Sequence, residues 1–175
     1  MTAKGRLSEP QTAAPGARLA WLLSLAGALP FWAAALFLLV AGRESLWFDW
    51  FVDVARTYGA VILSFVGGIR WGAALEERPR PFAAPAAAAG RTFALSVVPS
   101  LAGWFSLFLE PVFGLALLAA AFALQGVWDA FSGPSPFAAG AGGRGAALPL
   151  WFVRLRVVIT LLVVPALLLG LVAIA

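Results

Sequence analysis

"SFVGGIRWG", Ser64–Gly72, closes an uncharged run that begins at Thr57 and sets an arginine at position 70, in a stretch that stays apolar to Leu75. A guanidinium cannot shed its charge. Such a segment therefore reads as a membrane-spanning helix whose one cation must be paired, face a cavity or reach an interface. Ala60, Ser64, Gly68 and Gly72 recur every four residues. Small residues in a row let a second helix approach closely where lipid competes with apolar side chains, so these four are predicted to form a helix-packing face. Arg70 lies roughly 200° around the helix from Gly68 at 100° per residue. It is expected to point away from that row, alongside Gly67 and Ala74.

Composition agrees with a membrane setting. Of 175 residues, 62% are hydrophobic and 11% charged, against about 25% charged in an ordinary soluble domain. The chain has no His and no Cys, which removes imidazole proton shuttles, thiolate nucleophiles, disulfides and the usual zinc, haem and iron–sulfur ligands. No metal and no cofactor are expected. The net charge of +4 comes from arginines set beside apolar runs, a sign of membrane topology and not of a nucleic-acid footprint.

Five stretches are long and apolar enough to span: about 19–42, 56–75, 92–109, 111–128 and 157–175. A crossing takes about 20 residues, with about 17 as the lower limit, and the third and fourth lie near that limit. The fold expected is an all-α integral membrane bundle of five transmembrane helices. Residues 1–17 read as a disordered cytoplasmic tail, 18–175 as one domain, and the Gly/Ala/Pro-rich 130–149 as a flexible cytoplasmic linker. Leaving Arg70 aside, nine Lys or Arg residues fall on the N-terminal side of this threading and two, Arg43 and Arg56, on the other. The positive-inside rule then puts the N-terminus in the cytoplasm and the C-terminus outside. In "SLWFDWFVDVARTY", Asp49, Asp53 and Arg56 share one helical face and Trp47, Trp50 and Phe51 lie toward the other. That pattern predicts a short interfacial helix before the second span, with its charged stripe in water. Pro30, Pro99 and Pro165 punctuate the odd-numbered spans and are expected to kink them.

Depth supplies a candidate site. The second and fourth spans descend toward the same side, and the fifth begins there. Arg70, Gln125, Asp129, Arg154 and Arg156 therefore fall at one level, as a candidate ion-pair or anion-binding cluster. In one reading Arg70 pairs with Asp129 or snorkels to the headgroups and helps set topology. In the other, the arginines hold a small anionic metabolite or lipid headgroup, since a guanidinium fork suits phosphate and carboxylate. Catalysis is the weakest reading, because the adjacent acids Glu76 and Glu77 sit at the solvated border.

"YGAVILSFVGGIRWG", "SVVPSLAGW", "QGVWDA" and "LPLWFVRLRVVITLLV" together resemble an uncharacterised family of small multi-pass membrane proteins that includes the mitochondrial transmembrane protein 69. The resemblance covers most of the chain from about Leu29 and places Tyr58, Gly67, Gly68, Arg70, Trp71, Asp129, Trp151, Arg154 and Arg156 on matching motif positions. It implies a multi-pass inner-membrane protein with a domain of unknown function, and brings no catalytic residue or substrate. The expectation is a non-enzymatic accessory or assembly component of a bacterial inner membrane, in contact with lipid and with possible membrane-protein partners or a second copy of itself. The alternative is a carrier or sensor of an anion at the Arg70/Asp129 cluster.

Overall fold

A computed structural model describes residues 16–76, 86–131 and 149–175. They form five helices: α1 (Ala17–Ala41), α2 (Phe48–Glu76), α3 (Ala86–Ser106), α4 (Pro111–Phe131) and α5 (Leu150–Ile174). Most of the N-terminal tail and of the 130–149 linker lie outside the described residues. α1, α2, α4 and α5 are each long and apolar enough to cross a membrane, while the apolar part of α3, Thr92–Ser106, is shorter. The chain is a helical membrane bundle whose outward apolar faces contact the bilayer.

Helices consecutive in the chain run in opposite directions and close into a ring, α1 packing on α2, α2 on α3, α3 on α4, α4 on α5 and α5 back on α1, which it meets in parallel with the two carboxyl ends together, while α2 also meets α4 across the middle. The core is aliphatic and aromatic. Phe31 and Leu38 of α1, Leu63 of α2, Leu115 and Leu118 of α4 and Val163 of α5 are its largest fully buried apolar side chains. α3 packs differently. Its inward stripe is Ser96, Pro99, Gly103 and Ser106, small enough to bring backbones together. A Cβ on Gly103 would lie 3.0 Å from the Cα of Ala60, and one on Gly67 would lie 2.6 Å from the Ser96 carbonyl.

Two helix starts, those of α2 and α5, differ most from the sequence expectation. The aromatic stretch expected as an interfacial helix of its own is the first part of α2, which runs unbroken from Phe48. α1 ends at its expected border, with Ala41 followed by the capping Gly42, whose φ of 67° is costly for any residue with a Cβ; a tight turn follows, with Phe48 N–H donating to the Ser45 carbonyl at 3.0 Å. α5 begins at Leu150, behind Pro149, so Arg154 and Arg156 lie inside the helix and not before it. The Ser96 hydroxyl near the Pro99 kink donates to the Phe93 carbonyl at 2.7 Å and not to the Leu95 carbonyl that Pro99 frees four residues before it.

Candidate functional site

Asp129 lies near the carboxyl end of α4 and is buried, at 2% exposure. Its two oxygens are bound from two other helices. Arg70 of α2 donates from Nε to Oδ1 at 2.9 Å, and a second nitrogen of the same guanidinium is also 2.9 Å from Oδ1. Arg156 of α5 donates from Nε to Oδ2 at 2.8 Å. Gln125, one turn back on α4, donates to Oδ1 at 3.2 Å. Both arginines are buried, each at 7% exposure. The carboxylate thus joins α2, α4 and α5 at one end of the bundle.

Local sequence seats each group. On α4, Gln125 and Asp129 share a face, and Gly126 between them lets α5 come close: a Cβ there would collide with Thr160. Thr160 stands one turn beyond Arg156, so this approach carries the Arg156 guanidinium to Asp129. Arg70 is steadied by two further contacts. It donates to the Trp128 carbonyl at 3.1 Å, one of the carbonyls a helix end leaves without an intrahelical partner, and its Cζ lies 4.6 Å from the centre of the Trp128 ring, a cation–π distance. Two guanidinium groups and one carboxylate leave a charge of +1 within the cluster.

The structure brings together four of the five residues predicted at this level: Arg70, Gln125, Asp129 and Arg156. Arg154 is exposed on the outside of α5. Positions two apart on a helix face about 200° away from each other, so one of the pair had to turn out. The predicted packing row divides as well. Ala60 is buried against Gly103, and Ser64 is half-buried with its hydroxyl donating to the Ala60 carbonyl at 2.8 Å. Gly68 and Gly72 are exposed, and a Cβ at either meets nothing within 4 Å. Within the chain, close packing of α2 falls instead on Ala60 and Gly67.

Arg56 departs furthest from its expected place on a solvated stripe. Its neighbour Asp53 stays exposed, at 3.8 Å, but the Arg56 guanidinium turns inward and caps the end of α3. One terminal nitrogen lies 2.8 Å from the Ser106 carbonyl, 3.1 Å from that of Leu107 and 2.6 Å from that of Leu109. Gly114 of α4 closes over it, since a Cβ there would stand 2.9 Å from Arg56 Nε. Arg43, at the same end, donates to the Ile174 carbonyl of α5 at 2.8 Å. The two cations on the sparsely charged side therefore both serve helix carboxyl ends, where orphan carbonyls and the helix dipole favour positive charge. Tyr58, half-buried between α1 and α2, donates its hydroxyl to the Gly27 carbonyl at 3.0 Å. A cavity of about 370 Å³ also lies at this end, lined by Arg43, Asp49, Glu110 and Ile174 among others, far from Asp129. Among the described residues no group of three His, Cys, Asp or Glu side chains could hold a metal ion.

A ring of apolar helices fastened at one end by a buried arginine–aspartate–arginine cluster defines a multi-pass integral membrane protein. The chain belongs to the family described as "Protein of unknown function (DUF3429)", whose family model matches residues 16–172. It is similar to transmembrane protein 69 of Xenopus tropicalis, with 39% identity over 88 residues, 49% of this chain and 30% of that protein. The chain thus matches less than a third of that relative's length. No solved structure matches it.

Proposed function

We propose that this protein is a non-enzymatic accessory or assembly component of a bacterial inner membrane, threaded with its N-terminus in the cytoplasm and its C-terminus outside. The observation that supports an assembly role is the open row at Gly68 and Gly72, which meets no helix of this chain among the described residues. It is flanked by exposed Val61, Phe65 and Trp71, so that a helix from another protein or a second copy can pack closely there. The nine-to-two distribution of cations supports the orientation. The test is purification of the tagged chain after cross-linking in its native membrane. A stoichiometric membrane-protein partner, lost in Gly68→Ile, is the expected result; a chain recovered alone contradicts the proposal.

A second reading is favoured by charge. The Arg70–Asp129–Arg156 cluster carries one positive charge more than its own carboxylate balances, and buried charge without a counter-ion is costly. In this reading the protein is a carrier or sensor, and a bound small anionic metabolite or lipid headgroup supplies that counter-ion. Thermal protection of the purified chain by an anion, dependent on Arg156, tests it.

A further inference from the structure

We infer that Arg70 and Arg156 hold a phosphate group at the Asp129 end of the bundle, borne either by an anionic lipid or by a soluble phosphate compound. The inference rests on the anion reading of the cluster and names its ligand class.

Three observations carry it. First, both guanidinium groups spend Nε on Asp129, which fixes their planes in advance. Arg70 is held further by its stack on Trp128. Second, Arg156 bonds to Asp129 alone among the described residues. Yet the one buried side-chain nitrogen or oxygen without a partner among those residues is Arg56 Nε, at the far end of α2. Among the described residues the terminal nitrogens of Arg156 are therefore unpaired and not wholly sealed, an oriented guanidinium edge on a side chain that is 8% exposed. Third, the cluster lies near the end of its helices, as a phosphate site at the membrane surface requires. Arg70 is six residues from the end of α2, roughly 9 Å at 1.5 Å per residue, and Trp71 beside it is exposed, as interfacial tryptophans are.

Phosphate fits these donors better than a carboxylate does. Arg70 spends Nε and one terminal nitrogen on Asp129 and the Trp128 carbonyl and keeps the other terminal nitrogen. A fork on α5 and a single donor on α2 therefore approach from different helices, which suits the spread oxygens of a tetrahedral phosphate better than those of a flat carboxylate. Asp129 takes no part in binding the ligand. It orients the two guanidinium groups and offsets one of their charges.

The experiment uses the full chain, delipidated in detergent, with an equimolar mixture of dioleoyl phosphatidylglycerol and dioleoyl phosphatidylcholine, read by native mass spectrometry. In parallel, inorganic phosphate and succinate are tested by thermal unfolding. Phosphatidylglycerol is expected to be retained over phosphatidylcholine by roughly tenfold, the weight of one charge-assisted hydrogen bond. The preference should fall to near parity in Arg156→Gln and persist in Arg18→Gln, which alters an exposed cation at the start of α1. A rise in melting temperature with inorganic phosphate, dependent on Arg156 and without lipid preference, assigns the same chemistry to a soluble ligand. Protection by succinate alone, lost in Arg156→Gln, overturns phosphate and leaves the anion reading standing. No Arg156-dependent effect from any of these overturns both. If Arg156→Gln lacks a cooperative transition, Arg156→Lys keeps the charge without the fork. A several-fold loss of preference is expected there, and an undiminished preference overturns the inference.

Discussion

Arg56 and Arg70 stand fourteen residues apart on one face of α2, with buried Leu63 midway between them. Each reaches out of its helix to anchor a different neighbour. Arg56 takes the loose carbonyls at the end of α3, and Arg70 takes the carboxylate of α4. α2 is thus the strut of the bundle, fastened at both ends by permanent charges and packed between them by Gly67 and Ala60. The two anchors are about 21 Å apart along the axis at 1.5 Å per residue.

The charge arithmetic predicts an unequal response at the cluster. Arg70→Ala leaves Asp129 paired with Arg156, and Arg156→Ala leaves it paired with Arg70. Asp129→Ala strands two buried cations together. The aspartate substitution is expected to be the most damaging of the three, by about 3 kcal/mol or more as for one broken buried pair. Equilibrium unfolding of the three variants in one detergent gives the order. An arginine variant less stable than Asp129→Ala would remove the shared-carboxylate account.

Arg56→Gln should unfasten the end of α3. Its guanidinium serves three carbonyl oxygens that have lost their intrahelical donors, so the loss is expected to be about 1–3 kcal/mol. Hydrogen exchange should rise at residues 103–109 and remain low around Asp129. Uniform loosening of the whole bundle would contradict a local cap.

Gly67 and Gly68 make a sharp contrast in adjacent positions. Gly67→Ala drives a methyl to 2.6 Å from the Ser96 carbonyl and should cost about 1–3 kcal/mol. Gly68→Ala meets open space and should gain a few tenths to about 1 kcal/mol through helix propensity. Thermal unfolding of the two variants side by side is the measurement, and equal effects would contradict the packing of α2 on α3.

Orientation has its own test. Because the chain contains no cysteine, Ser45→Cys introduces a single thiol in the turn after α1. It should react with a membrane-impermeant maleimide added outside spheroplasts. A thiol that reacts only after the membrane is broken would reverse the proposed threading.

Much of this was legible in the residues, for identifiable reasons. Long uncharged runs define helices because a bilayer tolerates little else, and counting depth along antiparallel spans brings Arg70, Asp129 and Arg156 to one level. Depth alone does not choose between Arg154 and Arg156; the helical rotation between them does. The four-residue row misleads for a related reason. Each step of four turns about 40° around the helix, so the row drifts about 120° from Ala60 to Gly72 and leaves the packed face. A seven-residue step drifts only about 20°, which is why Ala60 and Gly67 both pack on α3. Arg56 carried no such signal. Its partners are backbone carbonyls of α3, some fifty positions away, and a carbonyl has no residue type to recognise. Trp128 was equally silent, since its role is to present a ring and a carbonyl to a side chain from another helix.

The most direct test of the claim that the cluster joins α2 to α4 is a double-mutant cycle on Arg70 and Asp129, with stability measured by equilibrium unfolding of Arg70→Ala, Asp129→Ala and the double variant. A shared ion pair predicts that the double variant loses less than the two single losses combined, by at least about 1 kcal/mol. Losses that simply add would show that Arg70 and Asp129 act independently, and the account of a bundle fastened through Asp129 would be wrong.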